Sequence, residues 1–159
     1  LWYAVPIKKE DDEHAQISKR YLAAIIDGEG SIGIECMAPF SKKDGTPVRK
    51  HNYYTPRLTI INTNLKLMEC LVKSFGGTFT ERKKIDGCKL CYRWHCFGYE
   101  LEIIIKQIFP YLICKKEQAR LVIEFRKTVG KTGWNVSEEL LQHRHQLYLK
   151  CKSLNKIGS

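Results

Sequence analysis

The sequence predicts an α+β domain in which one antiparallel sheet packs on helices, and three observations carry that prediction. The apolar residues switch along the chain between helical spacing and strict alternation, in the order helix, hairpin, helix, hairpin, helices. The alternating segments come in neighbouring pairs, the second pair joined by Asp86-Gly87, a dipeptide that suits a two-residue hairpin turn. At 159 residues, with one copy of each pattern, the chain suits a single core rather than a repeat array.

Ser18 is placed to cap a helix over 19–27, whose apolar positions are Tyr21, Leu22, Ile25 and Ile26. "SIGIECMA" then alternates, with Ile32, Ile34 and Cys36 on one face and Gly33, Glu35 and Met37 on the other. A polar loop, "PFSKKDGTPVRK", leads to a strand in "NYYTPRLTIIN", with Tyr54, Leu58 and Ile60 inward and Tyr53, Thr55, Arg57 and Thr59 outward. Pro56 implies an edge or a bend in that strand, because it has no N–H to give a ladder. "NLKLMECLVKSFGG" is amphipathic through Leu67, Cys70, Leu71 and Phe75 and stops at Gly76, a C-cap signal. "TFTERKK" and "CKLCYRWHCF" form the second hairpin. Helices follow in "ELEIIIKQIF" before Pro110 and "KEQARLVIEFRKTV" before Gly130, and a last one starts at Ser137 with acids in its first turn.

Lysine and arginine number 27 against 17 acids, a formal charge of +10 that favours a polyanionic partner, nucleic acid ahead of an anionic membrane. No uncharged apolar run is long enough to span a bilayer, and "LWYAVPIKKEDDEH" is too quickly interrupted by charge for a secretory core. The seven cysteines are odd in number and scattered, which fits reduced thiols inside a cell. Cys88, Cys91, His95 and Cys96 have a zinc-like spacing, yet on a strand residues 91 and 95 face one way and 96 the other, so a tetrahedral site is disfavoured.

With Leu58, Phe79, Leu90, Tyr92 and Trp94 inward, the opposite sheet face carries Arg57, Thr59, Thr80, Arg82, Lys84, Lys89, Cys91, Arg93 and His95. Together with Gly33, Glu35, Met37, Tyr53 and Thr55 these are the candidate DNA-contacting positions, cations for phosphates and polar side chains for base edges. The plain alternative is the solvated face of a half-buried sheet. Glu35 fits a DNA surface only as an acceptor for a cytosine amino group.

The most informative stretch is "KRYLAAIIDGEGSIGIECM", where an apolar helix stops at two acids and two glycines. Ala24 and Gly28 stand one turn apart, so a second copy of the helix can approach closely there. Both glycines are expected to let the chain leave the helix and enter the strand. Glu29 is then held at the helix's negative end, where a positive group, such as an oxygen-liganded divalent cation, should compensate it. A calcium loop counted from Asp27 would need an acid where Ala38 stands, and a dinucleotide loop would have its glycines before a helix rather than after one.

"YLAAIIDGEGSI" resembles the dodecapeptide of the LAGLIDADG homing endonucleases, with Ala24 where glycine is common and Glu29 where aspartate is common. "LTIINTNLKLMECLVKSFGG", "YRWHCFGYELEIIIKQIFPYL" and "FPYLICKKEQA" resemble later segments of that family, so the resemblance covers about residues 18–129. It implies an αββαββα core with a saddle-like antiparallel sheet, followed by C-terminal helices over about 137–155, the whole of 1–159 being one domain. It implies an intron-encoded nuclease that cuts both strands of a long pseudo-palindromic DNA target. Mg2+ would be the cofactor, with Ca2+ or Mn2+ able to take its place, held by Glu29 and the carbonyl of Gly28. Asn62 would order water, Lys115 would stand near the scissile phosphate, and Lys66 is a weaker second basic candidate; Asp27 is read as holding the helix end. One motif per chain implies a homodimer whose interface holds Leu22, Ala24, Ile25 and Gly28. No membrane and no small-molecule substrate are expected, and the compartment would be organellar or microbial. Members of the same family that assist intron splicing on RNA, or bind DNA without cutting it, are the alternatives.

Overall fold

The structure, a computed structural model, describes residues 16–49, 51–82, 89–130 and 136–157. Lys84, the Asp86-Gly87 turn and Cys88 lie outside the described residues. Helix α1 (Lys19–Gly28) is followed by strand β1 (Gly30–Met37), a short hairpin β2 (Phe40–Ser41) and β3 (Pro47–Arg49), and the long strand β4 (Tyr53–Asn62). Helix α2 (Leu65–Phe75), strands β5 (Thr78–Glu81) and β6 (Tyr92–Cys96), and helix α3 (Gly98–Ile108) complete an αββαββα unit. A 3-10 turn over Phe109–Tyr111, helix α4 (Lys116–Lys127) and helix α5 (Glu138–Ile157) follow.

The main sheet is antiparallel in the order β1-β4-β6-β5. Its alternation sorts the side chains as the sequence predicts. Ile32, Leu58, Ile60 and Trp94 are fully buried against Leu22 and Ile26 of α1, Leu101 and Ile105 of α3 and Val122 and Phe125 of α4. Burying side chains of this size is worth roughly 1.5–3 kcal/mol each, so this inner face is the main source of stability. The Trp94 indole donates to the Gly76 carbonyl (2.9 Å), which ties β6 to the end of α2. Gly76 caps α2 with φ at +76°, a conformation only glycine adopts cheaply.

Pro56 is accommodated as expected of a local edge. It pairs with Ile34 of β1 but lies two residues beyond Leu58, the last β4 residue paired with β6. Two sequence expectations need correction, the loop after β1 and the part played by the motif's glycines. The polar loop after β1 contains the β2–β3 hairpin, in which the Lys42 N–H donates to the Thr46 carbonyl around Asp44-Gly45. Neither glycine of the motif takes a left-handed conformation. Gly30 is there for proximity, since a Cβ on it would sit 2.7 Å from the Ile26 Cα, whereas at Gly28 a Cβ would meet nothing within 4 Å.

The C-terminal helix α5 is packed rather than peripheral. Leu147 and Cys151 are buried, Tyr54 Oη and His145 Nδ1 are 2.8 Å apart, and Asn155 Nδ2 donates to the Ile32 carbonyl (3.0 Å) on β1. Ser137 caps it by accepting from the Leu140 N–H (3.2 Å).

Candidate catalytic centre and nucleic-acid interface

Helix α1 begins where Ser18 Oγ accepts from the Tyr21 N–H (3.2 Å) and ends beside three groups of opposite character. The two acids of the motif diverge. The Asp27 carboxylate accepts from the backbone N–H groups of Ile113 (2.7 Å) and Lys115 (3.0 Å), clamping the segment before α4 to the helix end. Lys115 Nζ donates to the Asp27 carbonyl (2.7 Å). The ammonium therefore sits on an orphan carbonyl at the negative end of the α1 dipole. Positive charge at the carbonyl end of the helix is thus supplied by the chain itself.

Glu29 points the other way and is exposed, its Oε2 accepting from Asn62 Nδ2 (2.8 Å). Asn62 Oδ1 accepts in turn from the Asn64 N–H (2.9 Å), and Asn64 Oδ1 from the Leu67 N–H (3.2 Å). The cap of α2 is therefore Asn64, not Asn62, which frees the Asn62 amide to orient the carboxylate. Asn62 stands at the end of β4, so the last residue of one strand and the first residue after the motif helix meet. Lys66 is exposed on the first turn of α2 and shares a groove with Ser18 and Tyr21, at the opposite end of α1 from Glu29.

The α1 face proposed for pairing is partly occupied. Leu22 is fully buried in the chain's own core and is removed from that face; Ala24 and Gly28 are exposed and Ile25 is half-buried. Tyr21 (54% exposed) and Ile113 (84% exposed), held beside α1 by Asp27, are the large apolar groups that belong there instead.

The outer sheet face is polar and cationic. Gly33, Thr55, Arg57, Thr59, Thr80, Cys91, Arg93 and His95 are half-buried on it, and Glu35, Met37, Tyr53, Arg82 and Lys89 are exposed. Arg57 Nη2 pairs with Glu35 Oε2 (3.0 Å) across β1 and β4. His95 shares a hydrogen bond between Nε2 and Thr78 Oγ1 (3.1 Å) and stacks on Phe97. Burial first, and then the Arg57 guanidinium, lower the His95 pKa and favour its neutral form. Cys96, on the inner face of the same strand, is pushed by burial up to about 12, an inert thiol on the opposite side from His95. Among the described residues no group of three or more His, Cys, Asp or Glu side chains is arranged to hold a metal; Cys88 of the zinc-like spacing is not among them.

Four buried polar atoms without a hydrogen-bond partner lie on this face: Thr55 Oγ1, Arg57 Nε, Arg93 Nε and His95 Nδ1. Each costs about 1–3 kcal/mol if nothing answers it, which is a steep concentration for one surface. Sequence alternation placed these residues on one face but gave no sign that they converge.

An αββαββα unit with a twisted antiparallel sheet and the motif helix beside its first strand is the LAGLIDADG homing-endonuclease fold, and the chain has it. No family model and no curated protein matches the sequence. Among solved structures, the homing endonuclease I-CvuI in complex with its target in the presence of Ca is similar over 86% of this chain and 80% of its own, at 23% identity and a TM-score of 0.67. The archaeal intron-encoded homing endonuclease I-Vdi141I, complexed with DNA, is similar over 86% and 82%, at 17% identity and a TM-score of 0.65. I-SmaMI, bound to an uncleaved DNA target in the presence of calcium ions, is similar over 89% of this chain but 46% of its own, at 21% identity and a TM-score of 0.62.

Proposed function

We propose that this chain is a LAGLIDADG homing endonuclease that cuts both strands of a long, pseudo-palindromic DNA site as a homodimer with a divalent metal. The observation that carries it is the Asn62-held carboxylate of Glu29 at the end of α1, with Lys115 on the same helix end. It stands on a fold whose neighbours I-CvuI, I-Vdi141I and I-SmaMI are described bound to DNA.

The donor set fits a hard ion. Each chain offers one exposed carboxylate and the Gly28 carbonyl, with no soft-ligand cluster among the described residues. That suits magnesium, calcium or manganese, which keep water and take phosphate oxygens, better than zinc. When bound, such an ion supplies charge neutralisation of the phosphodiester and acidification of water. The chain's own residues do the rest. Asn62 fixes the Glu29 carboxylate in one orientation through Oε2. The Lys115 ammonium places positive charge where a phosphate would approach the helix end, and Asp27 holds the Lys115 backbone there.

Pairing of two copies is supported by the open space at Gly28, which no atom within 4 Å among the described residues requires to be glycine, and by the exposed Tyr21 on the same helix and Ile113 bonded to Asp27. Similarity to about half of I-SmaMI is in keeping with two such units making one cutting protein. The six described cysteines are unpaired, in line with a reducing intracellular compartment, organellar or microbial, and an intron-encoded origin goes with the proposed family.

The test is cleavage of a plasmid carrying a duplex selected by this chain from a randomised library. Glu29→Gln is expected to lower cleavage in magnesium by at least about 100-fold while leaving affinity within a few-fold. Unchanged cleavage, or loss of binding with cleavage intact, contradicts the role of Glu29.

A further inference from the structure

The outer sheet face holds a small pocket of about 280 Å³ that includes Arg57, Thr78, Thr80, Arg93, His95 and Phe97. Strand register explains how it forms. Thr59 pairs with His95, so Arg57 on β4 and Arg93 on β6 stand one outward position to either side of that pair and converge on it. Thr78 and Thr80 of β5 close one side through their pairing with His95 and Arg93. Phe97, 55% exposed, forms an apolar wall stacked on the imidazole.

The chemistry of the lining is one-sided. Both guanidiniums are donors only, and Arg57 Nε, Arg93 Nε and His95 Nδ1 have no hydrogen-bond partner among the described residues. Among the described residues no carboxylate pairs with Arg93, whereas Arg57 is held in plane by Glu35 at 3.0 Å. The two donor-only guanidiniums select a ligand edge made of acceptors, while the Thr78 and Thr80 hydroxyls and the neutral imidazole can each donate or accept. On DNA two such edges exist, a phosphate and the O6/N7 edge of guanine in the major groove. Glu35 separates them. A carboxylate at the pocket rim opposes a phosphate, but it braces Arg57 and is able to accept from the N4 amino group of the cytosine paired with a guanine.

Taking the chain to bind duplex DNA as proposed above, we infer that the Arg57–Arg93–His95 pocket is a guanine-recognition point, imposing one guanine or two adjacent guanines on each half-site. The full chain, in metal-free buffer so that no strand is cut, is used to select from a randomised duplex library. Wild type should enrich such a guanine, and Arg93→Lys and Arg57→Lys should each relax that preference by about ten-fold while leaving the rest of the selected sequence unchanged. Lysine keeps the charge and loses the planar fork, so a phosphate contact tolerates this change and a bidentate base contact does not. Circular dichroism on each variant shows that it is folded, and Arg93→Gln provides a second folded form if the lysine variant is not.

Lysine variants that reproduce the wild-type selection, or a wild-type selection without a guanine that these residues control, overturn the inference alone. So does a uniform loss of affinity across all sequences in Arg93→Gln, which is the signature of a phosphate contact. A wild-type protein that enriches no sequence overturns both the inference and the DNA-binding function beneath it.

Discussion

Two acids two residues apart do different work in this molecule. Asp27 Oδ1 and Oδ2 bind backbone N–H groups 88 and 86 residues away, and Glu29 faces outward on Asn62. Asp27→Asn keeps the shape but turns one acceptor into a donor facing an N–H. It is expected to cost about 1–2 kcal/mol in thermal unfolding, and to lower cleavage more than binding because the segment carrying Lys115 loosens. An unfolding temperature and cleavage rate equal to wild type would contradict the clamp. His95 gives a pH prediction at the same scale. Its pKa lies below the ordinary 6.5 in the folded chain through burial and the Arg57 and Arg93 guanidiniums, with the Arg93 backbone and then Glu35 opposing. The unfolded chain therefore takes up more protons below that value, so stability is full above about pH 6.5 and declines as pH falls toward the folded value. Melting curves of wild type and His95→Gln across that range should converge at the acid end relative to neutral pH; parallel curves would contradict it. Glu29 and Asn62 were legible in the sequence because they sit in quotable segments. Asp27 was read as structural at the helix end, but its partners were not legible, because a side chain meeting distant backbone N–H groups requires no particular residue at the other end.

At the scale of elements, the motif helix shows what spacing conveys and what it conceals. Its start at Ser18 and the burial of Leu22 and Ile26 follow from capping and period, although Tyr21 is exposed and Ala23 is buried in its stead, and the four strands of the main sheet follow from alternation. Leu22 was placed on the outer face because sequence alone does not fix the rotation of a helix on its sheet. The β2–β3 hairpin was missed because strands of two and three residues carry no readable period. The α2 cap at Asn64 leaves Asn62 free for Glu29, a division of work between two good capping residues two positions apart that spacing alone does not decide. The two glycines of the motif are distinguishable by substitution. Gly30→Ala forces a Cβ against the Ile26 backbone and is expected to destabilise by about 1–3 kcal/mol in denaturant unfolding. Gly28→Ala meets no atom of its own chain and should leave a monomer's stability equal or raised by up to about 1 kcal/mol. The same change should weaken self-association in sedimentation at matched concentrations. An unaltered association constant would mean that the close approach of two helices is not made at Gly28.

For the molecule as a whole, the formal charge of +10, the donor-rich sheet face and the acid at the helix end form a single arrangement. The sheet offers cations and hydrogen-bonding groups, which the proposed function assigns to DNA, and α1 delivers Glu29 where it joins strand β1. In the proposed function such a chain brings one carboxylate of this kind to a duplex of two strands, and the proposal therefore takes its symmetry from a second copy. The most direct measurement is the crystal structure of the full chain on its selected duplex with manganese, located by anomalous scattering. The expected result is two copies crossing at Ala24 and Gly28, with each Glu29 carboxylate on a metal peak that also touches a phosphodiester oxygen. A single copy on the duplex, or a metal peak remote from both residue 29 carboxylates, would contradict the account.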